Sequence, residues 1–181
     1  MVRTAAFYRL PPRVLPAIHS VEGGAVGDAI ADPDGTRDLG VMQINTRWVQ
    51  PIARRTAMSE AETYRRLRDD ACFNIAASGL IMRTYLDETS GDLMRAIGNY
   101  HSHTPWLNSS YRLLVLNAAM VMFNPGAARP RAAGAGARQM TPTQRIAAKT
   151  GARAVPGDVV RRHSRQPAVS TGSDSSAGRD G

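Results

Sequence analysis

A single cysteine, Cys72, in 181 residues excludes an internal disulfide and any zinc site built from thiolates. Set among apolar neighbours, it reads as a small buried side chain rather than a nucleophile. No run approaches the ~18–20 uninterrupted apolar residues that a membrane-crossing helix needs. Residues 1–10 carry Arg3 but no apolar segment with a small-residue cleavage site, so no secretory signal is visible in the chain as read. Internal repeats are lacking too. Acidic residues become scarce after residue 124, where 10 Lys and Arg face 3 Asp, a net charge of +7. Before that point 13 Arg face 12 Asp and Glu, about +1, so the overall +8 belongs mostly to one end.

The chain therefore divides near Asn124-Pro125. Residues 125–181 are rich in Gly, Ala, Pro, Ser and Arg and show no sustained apolar period. Such a segment buries too little surface to offset the entropy of ordering, and it reads as a disordered basic tail. Residues 141–150, with Thr141 as cap, could form at most a short transient helix. A basic tail can bind nucleic acid, anionic lipid or an acidic wall polymer weakly and salt-dependently, or serve only as a solubilising end. Nucleic-acid binding is the weaker reading, because the body is near neutral and has no recognised binding motif.

Residues 1–124 read as one mainly α domain with a small β-like or irregular insertion. Pro12 suits the first turn of a helix running to Glu22, with Val14, Leu15, Ile18 and Val21 on one side and Gly23-Gly24 as its stop. Residues 28–48 hold the turn-rich Asp32-Pro33-Asp34-Gly35-Thr36 and then Leu39, Val41 and Ile44, the pattern of a short strand or hairpin. Ser59 and Glu62 make a capping-box start for another helix. A longer helix is expected over 70–86, with Phe73, Ala76, Ala77, Leu80, Ile81 and Thr84 inward. Ser90 is the expected cap of the next, where Leu93, Ala96, Ile97 and Tyr100 recur at i, i+3, i+4 and i+7. A last helix is expected over 108–122.

Glu22 stands where an apolar helix ends. Burial disfavours a charged carboxylate and helix-end carbonyls repel it, which is the setting a general acid requires. On position alone a solvated surface glutamate is the favoured reading, and the second segment shifts the balance. Asp38 follows 16 residues later and opens a polar stretch to Trp48. Gly40 would let a sugar ring approach the backbone, Gln43 and Asn45 offer amides for hydroxyl and N-acetyl groups, and Trp48 can stack on a pyranose face. One carboxyl in an apolar helix end opposite another in a polar loop splits acid and stabiliser roles in glycoside cleavage. Asp38 could instead simply bond its own turn. Tyr100 fits core packing as well as a cleft. His101 and His103 lack a third ligand, so His101 reads as cleft lining rather than a metal ligand, with Thr104-Pro105-Trp106 as rim. His19 reads as an ordinary helix residue.

The run over residues 35–48 resembles the segment of animal c-type lysozymes that carries their second catalytic aspartate. Residues 10–115 resemble bacterial soluble lytic transglycosylases more closely, above all the small ones of conjugation and secretion systems. The matching motifs are Glu22, Gly40-Val41-Met42-Gln43-Ile44-Asn45, Asp70-Ala71-Cys72-Phe73-Asn74-Ile75 and Ala96-Ile97-Gly98-Asn99-Tyr100-His101, in that order. The resemblance implies an α+β lysozyme-like fold that cleaves the β-1,4 bond between N-acetylmuramic acid and N-acetylglucosamine. Glu22 would be the acid, with Asp38 secondary and Gly40, Met42, Gln43, Asn45, Trp48, Tyr100 and His101 on the glycan. It implies no metal and no cofactor, a periplasmic or envelope location, and peptidoglycan strands and possible secretion or conjugation machinery as partners.

Three departures stand out. Gly23 replaces the Ser usual in that family, Ala71 replaces a Pro, and Cys72 lacks the partner cysteine that relatives carry near the mature N-terminus. The missing leader implies a start further upstream, a trimmed chain or another export route. A hydrolytic muramidase with Asp38 as nucleophile or stabiliser, and a non-catalytic wall-binding scaffold, are the alternatives to the transglycosylase.

Overall fold

The computed structural model describes residues 1–124. The readings of 125–181 as a disordered tail, and of a short helix near 141–150, lie outside the described residues. Among the described residues the chain is mainly helical with one small antiparallel sheet. The elements run α1 (Val2–Phe7), α2 (Val14–Glu22), β1 (Ala29–Ala31), β2 (Arg37–Leu39), β3 (Ile44–Asn45), then α3 (Val49–Thr56), α4 (Glu60–Asp69), α5 (Ala71–Glu88), α6 (Leu93–His101) and α7 (Pro105–Phe123).

Helix α2 starts two residues after Pro12, and Pro16 falls in its first turn, where a missing N–H costs nothing. Gly23 ends it in the left-handed region at φ 55°, its N–H bonding His19 O at 2.8 Å. The expected hairpin is two hairpins in the order β1-β2-β3, with Asp38 opposite Ile30 on one side and Asn45 on the other. Helices α1 and α3 were not read from the sequence, since 6 and 8 residues are too few to display a helical period.

Ser59 caps α4 through Glu62 N, while the Glu62 side chain pairs with Arg65 instead of closing the box. Asp92, not Ser90, caps α6, accepting from Arg95 N at 3.0 Å; Ser90 sits in the preceding turn at φ 54°. Helix α7 begins three residues earlier than expected, because Pro105 is favourable in a helix's first turn.

The core gathers Leu15, Ile18, Leu39, Met42, Ile52 and Ile81 from helices and sheet. The buried stripe of α5 is Asn74, Ala77, Ser78, Ile81, Met82 and Tyr85, rotated from the expected one. Polar residues enter it because their hydrogen bonds are made: Ser78 Oγ donates to Ile75 O at 2.8 Å. Asn74 does more. Its Nδ2 donates to Leu39 O at 2.9 Å and Leu67 O at 2.7 Å, and its Oδ1 accepts from Met42 N at 2.9 Å. On the outward side of the same helix, Cys72 is exposed, which corrects the expectation of a buried thiol. Its apolar neighbours in sequence face elsewhere on the helix.

Two outcomes follow from α5. Asn74→Ala strands an N–H and two carbonyls in the interior and should cost about 3 kcal/mol in a urea melt; a loss below about 1 kcal/mol would show that other contacts hold the turn. Asp70 caps the helix, and the Phe73 N–H, then the Arg66 guanidinium, hold its carboxyl below the ordinary value of 3.8. A lowered folded value means stabilisation that is present above 3.8 and lost as acid protonates the folded carboxyl. Asp70→Ala should therefore cost about 1 kcal/mol near neutrality, and the gap to the parent should narrow on acidification below 3.8.

Candidate active site

The turn at residues 40–43 links β2 to β3 and is buried except for Val41, which is half-buried. A buried turn must satisfy its backbone groups internally. Here Gly40 N donates to Asp28 O at 3.0 Å, Gln43 N to Gly40 O at 3.1 Å, and Gln43 Nε2 to the same carbonyl at 2.8 Å. Helix α2 reaches it through His19 Nδ1–H, which donates to Val41 O at 3.1 Å. Helix α6 reaches it through the Tyr100 hydroxyl, which donates to Met42 O at 3.0 Å. Gly24 brings the chain after α2 so close that a Cβ would collide with Gly40 O and the Gln43 amide. Gly40, at φ 63°, has no room either, with Leu67 O and the Asn74 amide where its Cβ would lie. Gln43 is the turn's non-glycine held left-handed, at φ 48°, a conformation that costs about 1–2 kcal/mol.

Glu22 is the last residue of α2 and only 4% exposed. Its Oε1 accepts a 2.7 Å hydrogen bond from the Tyr111 hydroxyl of α7, 89 residues away in sequence. The Tyr111 ring stacks on His101, with centroids 4.8 Å apart and planes 7° from parallel. Helix α7 runs antiparallel to α2: Tyr111 meets the end of α2, while Phe123 lies under the Arg13 guanidinium at its start, 4.9 Å from the ring centroid. His101 is thus buried behind the hydroxyl that bonds Glu22.

Asp38 has no exposed surface and belongs to the sheet's own network. Its Oδ1 accepts from Asn45 Nδ2 at 3.1 Å, and the same amide reaches Thr36 Oγ1 at 2.8 Å and Asp32 Oδ2 at 3.1 Å. Asn45 Oδ1 in turn accepts from Arg47 N at 3.1 Å. Trp48 is half-buried, edge-on to Tyr85 at 5.7 Å, and Tyr85 meets His103 at 5.4 Å. His103 pairs with Glu88 at 2.8 Å. Trp106, expected at a cleft rim, is exposed in the first turn of α7.

The structure thus gathers Glu22, Tyr111 and His101 in one cluster, and Met42, Gln43, Gly40 and Tyr100 in an adjoining one. Asp38 and Asn45 lie together one strand further on. Tyr111 was missed by sequence reasoning. The available signal was the i, i+4, i+8 row of Leu107, Tyr111 and Val115, all buried in α7. That row marks an inward face, but periodicity alone does not say which helix the tyrosine meets.

A buried carboxyl at the end of a helix, beside a stitched turn of a small sheet within a helical domain, is the arrangement of the lysozyme-like superfamily. Within it, the chain belongs to the family described as Transglycosylase SLT domain, whose profile matches residues 2–112. It is a glycan-cleaving lytic transglycosylase acting on peptidoglycan. Among curated proteins no match to the chain is found.

Tyr111→Phe removes one hydroxyl and leaves the ring stack. A hydrogen bond of this kind contributes about 0.5–1.5 kcal/mol. Clearance of peptidoglycan suspensions should fall on the order of tenfold, with the melting temperature shifted by no more than a few degrees. Unchanged clearance would remove Tyr111 from the site.

Proposed function

We propose that Glu22 is the general acid and base of a lytic transglycosylase that leaves 1,6-anhydro ends. The observation that carries this reading is the buried Glu22 carboxyl, held by the Tyr111 hydroxyl at 2.7 Å at the end of a helix whose exit through Gly24 passes the 40–43 turn. The protonated carboxyl gives its proton to the oxygen linking N-acetylmuramic acid to N-acetylglucosamine as the C1–O bond breaks. The carboxylate then takes the proton of the sugar's own C6 hydroxyl, whose oxygen closes on C1. No water is consumed, and the intramolecular attack is efficient because both groups are already held together.

Asp38 acts in this reading by ordering the strand that carries Asn45, rather than as a nucleophile; its complete burial against the Asn45 amide supports that role. Gly40, Met42, Gln43, Tyr100 and His101 support the glycan's site in this reading by fixing the turn and the Tyr111 ring, with Asn45 and Trp48 at the glycan's further reach. The resemblance of the motifs to small transglycosylases of conjugation and secretion systems supports local wall remodelling in the periplasm or cell envelope, beside such a machine. No metal or cofactor enters the scheme. Residues 1–124 form the catalytic domain and residues 125–181 a basic extension.

Glu22→Gln should lower clearance by at least ~100-fold while the melt stays close to that of the parent. Mass spectrometry of the parent's digest should return 1,6-anhydro-muramyl ends. Reducing ends would mean a hydrolytic muramidase instead. Clearance left unchanged by Glu22→Gln would make the chain a non-catalytic wall binder or move the acid elsewhere.

A further inference from the structure

Helix α7 carries Tyr111 inward, yet its other side is apolar and faces solvent. Leu113, Leu114, Leu116, Met120 and Val121 are exposed, Leu113 at 61% and Val121 at 58%. With about 100° per residue, these five and Asn117 fill roughly 160° of arc. A solvated helix face normally carries charge, but no charged residue occurs between Arg112 and Asn124. Directly after this helix the sequence turns basic, with 10 Lys and Arg against 3 Asp over residues 125–181.

We infer that the outer face of α7, together with the basic sequence that follows it, docks on the surface of an anionic lipid bilayer. Each half alone points to many partners, but the combination narrows them. Nucleic acid and acidic wall polymers complement the charge yet offer nothing for five exposed aliphatic side chains. A second copy of the chain could cover the apolar face but, near neutral over residues 1–124, offers no complement to the basic segment. A bilayer interface takes the apolar residues among its acyl chains and the cations on its phosphates, the two-signal requirement for stable surface attachment. The helix lies on the membrane rather than crossing it, since none in the described residues is long and apolar enough to span. Tyr111 projects roughly 140° away from the middle of this face, so docking leaves Glu22, its hydrogen-bond partner, on the far side of α7 from the lipid.

Vesicle flotation of the full chain tests this. It should float with mixed phosphatidylglycerol and phosphatidylethanolamine vesicles and stay behind with pure phosphatidylcholine, and the bound fraction should fall as salt rises. The quadruple variant L113Q/L116Q/M120Q/V121Q, which changes only exposed positions, should lower partitioning more than tenfold with helical circular dichroism retained. A second full-length variant, R129Q/R131Q/R138Q, should lower it several-fold. Both should still cleave soluble glycan fragments at the parent's rate, so failure here is distinct from failure of the Glu22 reading. Absence of flotation, equal flotation with neutral vesicles, or partitioning unaffected by the quadruple change would overturn the inference. So would a dimer by sedimentation velocity that the same variant dissociates without any flotation, which would make the occupant a second copy.

Discussion

The site depends on how one short buried turn keeps its peptide groups bonded. Residues 39–42 present carbonyls and an N–H to the interior, where water cannot serve them. Three helices supply the partners: His19 from α2, Asn74 from α5 and Tyr100 from α6. Each of these side chains is polar and wholly or partly enclosed, and each would be unfavourable there without its bond. The turn therefore acts as a common fixture for helices that are remote in sequence. Glu22 inherits its position from this, because α2 is held to the fixture at His19 and by the close passage of Gly24.

Glu22 is also reached from the other direction. Helix α7 lies antiparallel to α2 and contributes the Tyr111 hydroxyl. The two helices are tied near both ends, by the glutamate–tyrosine bond at one and by Arg13 over Phe123 at the other. His101 stacks behind the tyrosine and limits how the ring can tilt. The hydroxyl holds the carboxyl itself, while the turn holds the helix that carries it, through His19 and the passage of Gly24, so the position of Glu22 does not rest on a single packing contact.

Local chemistry made some of this readable in sequence. The apolar run into Gly23-Gly24 marked the end of α2, and Gly23 does adopt the left-handed conformation that such a stop needs. Ser59 was recognisable as a cap and the Leu93 to Tyr100 row as an inward face. The misses share a cause. Asp92 displaced Ser90 because two residues able to cap stood close together and only the turn geometry chose between them. Asn74 and Ser78 were passed over because a polar side chain counts against burial until its partners are known, and those of Asn74 lie 32 and 35 residues away. Cys72 was assigned by its neighbours' character rather than its angular position on the helix. Within the site, the Glu22 and Met42-Gln43 segments were visible as motifs. Their respective bonds to Tyr111 and Tyr100 were not, since nothing local in residues 111 or 100 announces a partner 89 or 58 positions distant.

A turn anchored by three helices has a thermodynamic corollary. Opening it alone would break bonds to α2, α5 and α6 together, so it cannot serve as a lid with a low barrier. Under the proposed glycan role, a polymer held near it would meet surroundings already set in shape. The freedom surrendered in that encounter must come almost wholly from the polymer, and selectivity then favours chains whose bends already fit.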